Sequence, residues 1–264
     1  MGFVSIEPCG CQSGRCLFEI NHKGHNGMNS RKLFAIVRRE LGAYLSSPLG
    51  YIVMFVYFLI GGFFFWLITT RSHAASMTYI FQNFMFIFLL VSPLITMRLW
   101  SEEEKNGTAE LLKTSPLTIW EIVVGKYLGA CSFFLVMSSV TLVYLAFIFA
   151  LGNPDVMPLF ANYLGYFLGV MAFFSIGLFA STITENQIVS AIVSFFVLLL
   201  LWVIGVAGDG VSGPAGDFLK YVSIMSHTDD FFKGIIDFSH VFYLLSLIFL
   251  GLFLSVKVLE SKRS

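Results

Sequence analysis

Six long apolar runs divide this chain, at residues 49–69, 78–98, 127–151, 161–182, 188–207 and 240–259. Each is about 20 residues or longer, enough for an α-helix to cross the hydrocarbon core of a bilayer. No water is available at that depth to satisfy a free N–H or C=O, so such runs fold as helices rather than open strands. Only STITENQ, at 181–187, separates the fourth run from the fifth. Reading those two as one broken span gives five crossings and reverses the side on which residues 208–239 lie; six is the count adopted. With 57% hydrophobic and 12% charged residues in 264, the chain lacks the charged surface that keeps a soluble domain of this size dispersed. Its formal net charge of zero offers no concentrated basic surface for nucleic acid. The fold class that follows is an all-α polytopic membrane protein.

Positive charge orients it. Arg31, Lys32, Arg38 and Arg39 precede the first span; Arg98, Lys105, Lys113 and Lys126 lie between the second and third; Lys257, Lys262 and Arg263 follow the sixth. The alternate segments hold only Arg71, Lys220 and Lys233. The positive-inside bias puts both termini in the cytoplasm, as an even number of spans requires. Away from their ends the spans hold no Lys, Arg, Asp, Glu or His, the materials of a proton relay or buried ion site. Energy for uphill movement would therefore enter from elsewhere. Gly61 and Gly62 in the first span allow close helix approach, and Pro93 in the second favours a kink.

Residues 28–264 read as one membrane domain and residues 1–27 as a disordered tail, outside the native chain if translation starts at Met28. Cys9, Cys11, Cys16, His22 and His25 lack the paired Cys-x-x-Cys spacing of a zinc site, so no metal is expected there. Cys131 reads as a small buried apolar residue. From 31 to 46 the pattern places Leu33, Val37, Leu41 and Tyr44 on one side of a helix and Arg31, Lys32, Arg38 and Arg39 on the other. Such a helix lies in the membrane interface, and SSPLG at 46–50 turns the chain into the first span.

The segment 101–121 is unlike its greasy neighbours. Three helix starts can be read in it: Ser101 with Glu104 as a capping box, Ser115 before Pro116 at a first helical position, and Thr118 with Glu121 as a second capping box. Gly107 breaks the first short helix. Leu111, Leu112, Leu117, Ile119 and Trp120 supply an apolar side; Glu102, Glu103, Glu104, Lys105, Glu110 and Lys113 supply a polar one. Short rigid helices of this kind suit transmission of displacement from a docked protein. The plainer reading is an amphipathic loop lying on lipid.

The stretch SPLITMRLWSEEEKNGTAELLKTSPLTIWEIVVGKYLG resembles the membrane subunit of type 2 ATP-binding-cassette transporters, closest to the gliding-motility and nitrous-oxide-reductase-maturation permeases. The residues that carry the resemblance are Arg98, Glu102 to Glu104, Gly107, Thr108, Glu110, Leu111, Leu112, Ser115, Pro116, Leu117, Gly125 and Lys126. It implies a cytoplasmic contact with ATPase subunits made by the first helix and this insert, through Arg38, Arg39, Arg98, Glu102, Glu103, Glu104, Gly107, Thr108, Glu110, Leu111, Ser115 and Pro116.

Residues 208–239 hold a flexible lead-in and then FLKYVSIMSHTDDFFKGIIDFSH, where Ser226 with Asp229 can cap a short helix and Phe231, Phe232, Ile235 and Ile236 can face apolar surroundings. Tyr221, Ser223, His227, Phe231, Lys233, Gly234 and Asp237 match the order in gliding-type permeases. The resemblance implies an extracytoplasmic gate, with Tyr221, His227, Phe231, Lys233, Gly234 and Asp237 as its candidates. A metal or hydrolytic site built from His227, Asp229, Asp230 and Asp237 is disfavoured, because adjacent aspartates on a helix diverge. Glu185, at the end of the fourth span, reads as interfacial rather than as a gate.

No Walker A pattern, Gly-x-x-x-x-Gly-Lys-Ser/Thr, occurs, so no enzymatic activity of its own and no bound cofactor are expected; ATP and Mg belong on a partner. What emerges is a permease subunit of an ATP-driven exporter in the inner membrane of a bacterium, paired as a homodimer or with a related subunit and served by two ATPase copies. An externally exposed accessory protein and membrane lipids complete the expected partners. The alternative is a non-transporting scaffold for an ATPase-driven envelope or gliding-motility assembly.

Overall fold

A computed structural model describes residues 30–72, 78–107, 117–151, 156–210 and 213–263. The expected features that fall at 1–27 and 108–116, including the Cys-containing tail, Thr108, Glu110, Leu111, Leu112, Ser115 and Pro116, lie outside the described residues. Those described are helical, without strand. The helices are α1 (Ser30–Ser46), α2 (Pro48–Ser72), α3 (Thr78–Thr96), α4 (Ser101–Lys105), α5 (Ile119–Ser138), α6 (Val140–Leu151), α7 (Val156–Ile183), α8 (Gln187–Gly210), α9 (Pro214–Val222), α10 (Ile224–Phe232) and α11 (Phe238–Arg263). Six helical stretches are long and apolar enough to cross a membrane: α2, α3 with α4, α5 with α6, α7, α8 and α11.

One crossing is jointed. Ser139 separates α5 from α6, and the hydroxyls around it bond backward along the chain: Ser138 Oγ to Leu135 O, Ser139 Oγ to Val136 O and Thr141 Oγ1 to Ser138 O. A run of hydroxyl side chains offers the backbone local partners other than its own i−4 ladder, which interrupts a helix without exposing polar groups to lipid.

The bundle has a core of two helices. The most apolar windows of α3 and α7 are 72% buried, those of α2, α8 and α11 only 17%, 22% and 22%. Around the central pair, Phe84, Phe88, Phe134, Tyr166 and Phe174 form a continuous set of edge-to-face and tilted ring contacts. In contrast Phe55, Trp66, Phe196, Phe242 and Phe249 are exposed on the outer helices. Apolar side chains displayed at this density belong against lipid or another membrane helix.

α1 does more than lie beside the bundle. Its Leu33, Val37 and Leu41 are half-buried, Tyr44 is buried, and Arg31, Lys32, Arg38 and Arg39 are exposed, the two faces expected from the sequence. The buried face is seated on α5 at two glycines: a Cβ at Gly125 would stand 2.7 Å from Ile36 Cγ2, and one at Gly129 2.5 Å from Glu40 Cβ. Nothing larger than hydrogen fits there without moving α1. Tyr44 Oη closes the other end of the contact by donating to the Ile95 carbonyl at 2.8 Å.

Candidate functional site

Polar side chains gather at the two ends of the bundle. At the end where α1, α4 and the C-terminal turns of α11 meet, the glycine seat brings Glu40 over α5. There Lys126 Nζ lies 3.0 Å from Glu40 Oε1 and 3.0 Å from Glu103 Oε1. The Lys126 side chain is 3% exposed, those of Glu40 and Glu103 13% and 10%. Arg39, on the outside of α1, reaches the same Glu103 oxygen at 3.4 Å. Two cations and two anions thus join α1, α4 and α5, and their formal charges cancel. Lys126, Glu40 and Glu103, this far from water, keep their charges because they are paired, and removing Lys126 leaves two carboxylates close together.

The acidic cluster does not form one polar face. Glu103 turns inward to Lys126; Glu102 takes both Arg98 Nε at 2.7 Å and Arg98 Nη2 at 3.1 Å; Glu104 accepts from Trp100 Nε1 at 2.6 Å and lies 3.9 Å from Lys262 of α11. Arg98 also donates to Ser47 Oγ in the turn between α1 and α2. Consecutive residues on a helix point about 100° apart, so three glutamates in a row face three different sets of partners. Gly107, at φ +71, follows α4 in the left-handed region that suits glycine. Arg38 is exposed.

The capping box expected at Ser101 is absent. Trp100 occupies the N-cap position without a side-chain cap, and Ser101 Oγ instead faces the α7–α8 junction, donating within reach of Ser181 O at 3.1 Å and Thr184 O at 2.9 Å. Ser181 Oγ in return accepts from the Trp100 and Ser101 N–H groups, each at 3.1 Å. A tertiary partner has replaced the local one. At Thr118 the box is complete: the Glu121 N–H donates to Thr118 Oγ1 at 3.2 Å and the Thr118 N–H to Glu121 Oε2 at 2.9 Å. Glu185 is exposed.

Glu40 and Ser181 were not singled out from the sequence, Lys262 only as an orienting charge, and Lys126 only as an orienting charge and part of a motif. Glu40 carried a signal: it stands three residues after Val37 and four before Tyr44, on the face of α1 that packs.

The opposite end is built by α9, α10 and the start of α11. Ser223, not Ser226, caps α10, its Oγ accepting from the Ser226 N–H at 3.4 Å. His227 is buried, with Nε2 2.9 Å from the Tyr221 carbonyl oxygen and Nδ1 2.6 Å from Nδ1 of His240. His240 Nε2 lies 3.0 Å from Asp230 Oδ2, and Lys233 Nζ donates to Asp230 Oδ1 at 2.9 Å. The Tyr243 ring stacks on His227 at 4.0 Å between centroids, and its hydroxyl donates to the Val222 carbonyl at 2.6 Å. Burial holds His227 below the ordinary histidine value. For Asp230, burial acts upward, but the hydrogen bonds and charges of Lys233 and His240 outweigh it and leave the carboxyl below its usual range.

The sequence-selected residues at this end divide by task. Tyr221, His227 and Lys233 join the polar array. Phe231 is fully buried, its Cβ where a side chain on Gly165 of α7 would go, and Gly234, at φ +85, passes close to Pro158. Asp237 accepts from the Ser239 N–H at 2.9 Å at the start of α11. Phe232 is buried as expected, whereas Ile235 is exposed. His240 was missed because it sits at the mouth of an apolar run. Below α10, a cavity of about 30 Å³ opens between α3 and α8, lined by Gln82, Met85, Trp202, Met225 and Thr228 among others. No group of three or more His, Cys, Asp or Glu able to hold a metal ion occurs among the described residues.

Comparison with curated proteins gives no match. The family model described as "ABC-2 family transporter protein" matches residues 34–256, from the first turns of α1 into the last of α11. Its span takes in the jointed crossing, the Lys126 cluster and the histidine pair alike. A multi-pass bundle of six crossings, matched over most of its length, belongs to the ABC-2 transporter family of membrane proteins.

Proposed function

We propose that this chain is the permease subunit of an ATP-driven exporter in a bacterial inner membrane, with both termini and the Lys126 cluster on the cytoplasmic side. Membership of the family implies an ATP-binding-cassette ATPase as partner. Two copies of that ATPase, carrying ATP and Mg, dock on α1, α4 and the insert at 108–116, and a second permease copy completes the pathway. Arg38 and Arg39 on the exposed face of α1 supply the basic part of the docking surface; α9 and α10 cover the external mouth.

The observation that carries this reading is the buried Lys126 contact to Glu40 and Glu103. It ties α1 and α4 to a crossing helix, so a push on either moves α5 rather than bending a loop. A coupling device must behave in this way, as a packed unit that two sites can bias.

The test is to purify the chain with an ATP-binding-cassette ATPase that binds it and to measure ATP-dependent flux in vesicles. Lys126→Met should leave the ATPase bound and the flux reduced, and Glu110→Lys should weaken binding itself. Labelling of residues 101–121 from outside the cell, or full activity with no nucleotide-binding companion, would overturn the proposal.

A further inference from the structure

His227 and His240 meet through like atoms, Nδ1 to Nδ1 at 2.6 Å. Two ring nitrogens at that separation need one hydrogen between them, because two lone pairs repel and so do two N–H groups. The remaining nitrogen of each ring is also committed. His227 Nε2 faces the Tyr221 carbonyl oxygen at 2.9 Å, which can only accept, so this nitrogen carries a hydrogen. His240 Nε2 faces Asp230 Oδ2 at 3.0 Å, and Lys233 on the other carboxylate oxygen keeps that group ionised and accepting. His240 Nε2 therefore carries a hydrogen too. Four nitrogens need three hydrogens, two pointing outward and one shared. Two neutral imidazoles supply two and two imidazolium ions supply four, so the geometry is satisfied by a pair of charge +1, balanced by Asp230.

The surroundings assign the charge. His227 is buried, where a cation is disfavoured, and His240 touches the carboxylate directly. His240 is the imidazolium and donates Nδ1–H to a neutral His227, which holds its own hydrogen on Nε2. Other ionisable residues at this end are Asp217, Lys220 and Tyr221 of α9, Asp229 of α10, Asp237 before α11, Tyr243 of α11 and Asp209 in the last turn of α8; α3 and α7 carry no Asp, Glu, Lys, Arg or His.

We propose that His227 and His240 form a proton-binding clasp, which locks α9 and α10 onto α11 only while the two rings together hold three hydrogens. Losing one leaves a lone pair facing a lone pair, the Asp230 carboxylate or the Tyr221 carbonyl. Gaining one sets two N–H groups against each other. Either change loosens α10, which forms one wall of the cavity between α3 and α8. The ligand is the proton itself, and its count decides whether that cavity stays covered. This goes beyond the permease reading and does not depend on it, since the argument uses neither the ATPase nor the side of the membrane.

The test uses the full chain in lipid nanodiscs with nitrogen-15 histidine, His227→Gln and His240→Gln serving to assign the signals. At neutral pH His227 should show the neutral Nε2–H tautomer and His240 the imidazolium. Two neutral rings, or two of the same form, would overturn the clasp. Hydrogen exchange across 214–232, corrected for the intrinsic pH dependence of amides, supplies a second reading. Protection should peak in mid-range and fall about tenfold on either side, the worth of one charge-assisted hydrogen bond. Asp230→Asn separates this from a merely structural contact. Its amide can donate to His240 Nε2, so the clasp closes with two ring hydrogens: the alkaline fall should vanish and the acid fall remain. A flat wild-type profile, or an Asp230→Asn profile identical to wild type, sinks the proposal.

Discussion

The two ends of the bundle hold their buried polar groups by different chemistry. At the α1 end the partners are a lysine and two glutamates, and their contacts reach from α1 to α4 and α5. At the α9–α10 end the partners are two imidazoles, a carboxylate and a carbonyl. The first end needs opposite charge, not one particular placement of a hydrogen. The second depends on where each hydrogen sits. Under the proposed function, this division would put a stiff junction where force arrives and a conditional one at the far mouth.

The sharpest way to break the comparison is to remove the stiff junction. Lys126→Met keeps the length of the side chain and leaves Glu40 and Glu103 facing each other in a dry place. Loss of one partner of a buried pair costs about 3–5 kcal/mol, read as a lower unfolding midpoint in mild detergent. Adding Glu40→Gln should return part of that loss, because it removes the like charge that would then face Glu103. Additive effects of the two changes would show that the residues do not act as a unit.

Next in size is the seat itself. Gly129→Leu places a side chain where Glu40 Cβ already stands, 2.5 Å from the first added carbon. Overpacking of this kind costs about 1–3 kcal/mol, and here it should also lift α1 from α5. A cysteine at Ile36, whose Cγ2 stands where a Gly125 side chain would go, should then react with a water-soluble thiol reagent faster than in the Gly129 parent. An unchanged rate would mean that α1 is held by its charges alone.

Acid should act on the other end. His227 is held below its ordinary value of 6.5 by burial. Below that pH the unfolded chain takes up a proton that the folded one resists. The stability gained by keeping the ring neutral is therefore complete above 6.5 and is lost as pH falls towards and through the depressed folded value. Hydrogen exchange at α10 should report this as pH is lowered from 7 through 6.5 and below. The described residues of α1, α4 and α5 include no histidine and serve as the internal reference. Equal loosening of both would remove the distinction between them.

The sequence made some of this legible and hid the rest for identifiable reasons. Apolar length is enough to place crossings, because lipid leaves a chain few alternatives. The two faces of α1 followed from helical spacing. Capping patterns were less dependable: Thr118 with Glu121 closed its box, while Ser101 found Ser181 and Thr184, and Ser223 capped α10 in place of Ser226. Local patterns lose when a fold supplies a better partner. The two junctions were hidden because each pairs residues from separate helices. Lys126 meets a glutamate 86 residues earlier, and His240 meets His227 across the turn between α10 and α11. No periodicity within one helix encodes such meetings.

The smallest expected effect sharpens the comparison most. Arg39 and Lys126 approach the same oxygen of Glu103, at 3.4 Å and 3.0 Å. Distance alone would rank them as near equals. Exposure separates them: the Arg39 side chain is 64% exposed and that of Lys126 3%. Water and salt screen the first, so Arg39→Gln should cost less than about 1 kcal/mol of stability. Under the proposed function it should still weaken ATPase binding, because the guanidinium faces outward to whatever docks on α1, and that weakening should shrink as salt is raised. Stability lost on the scale of Lys126→Met would instead make Arg39 part of the buried junction. Binding left intact would move the docking surface off α1 and onto the insert alone.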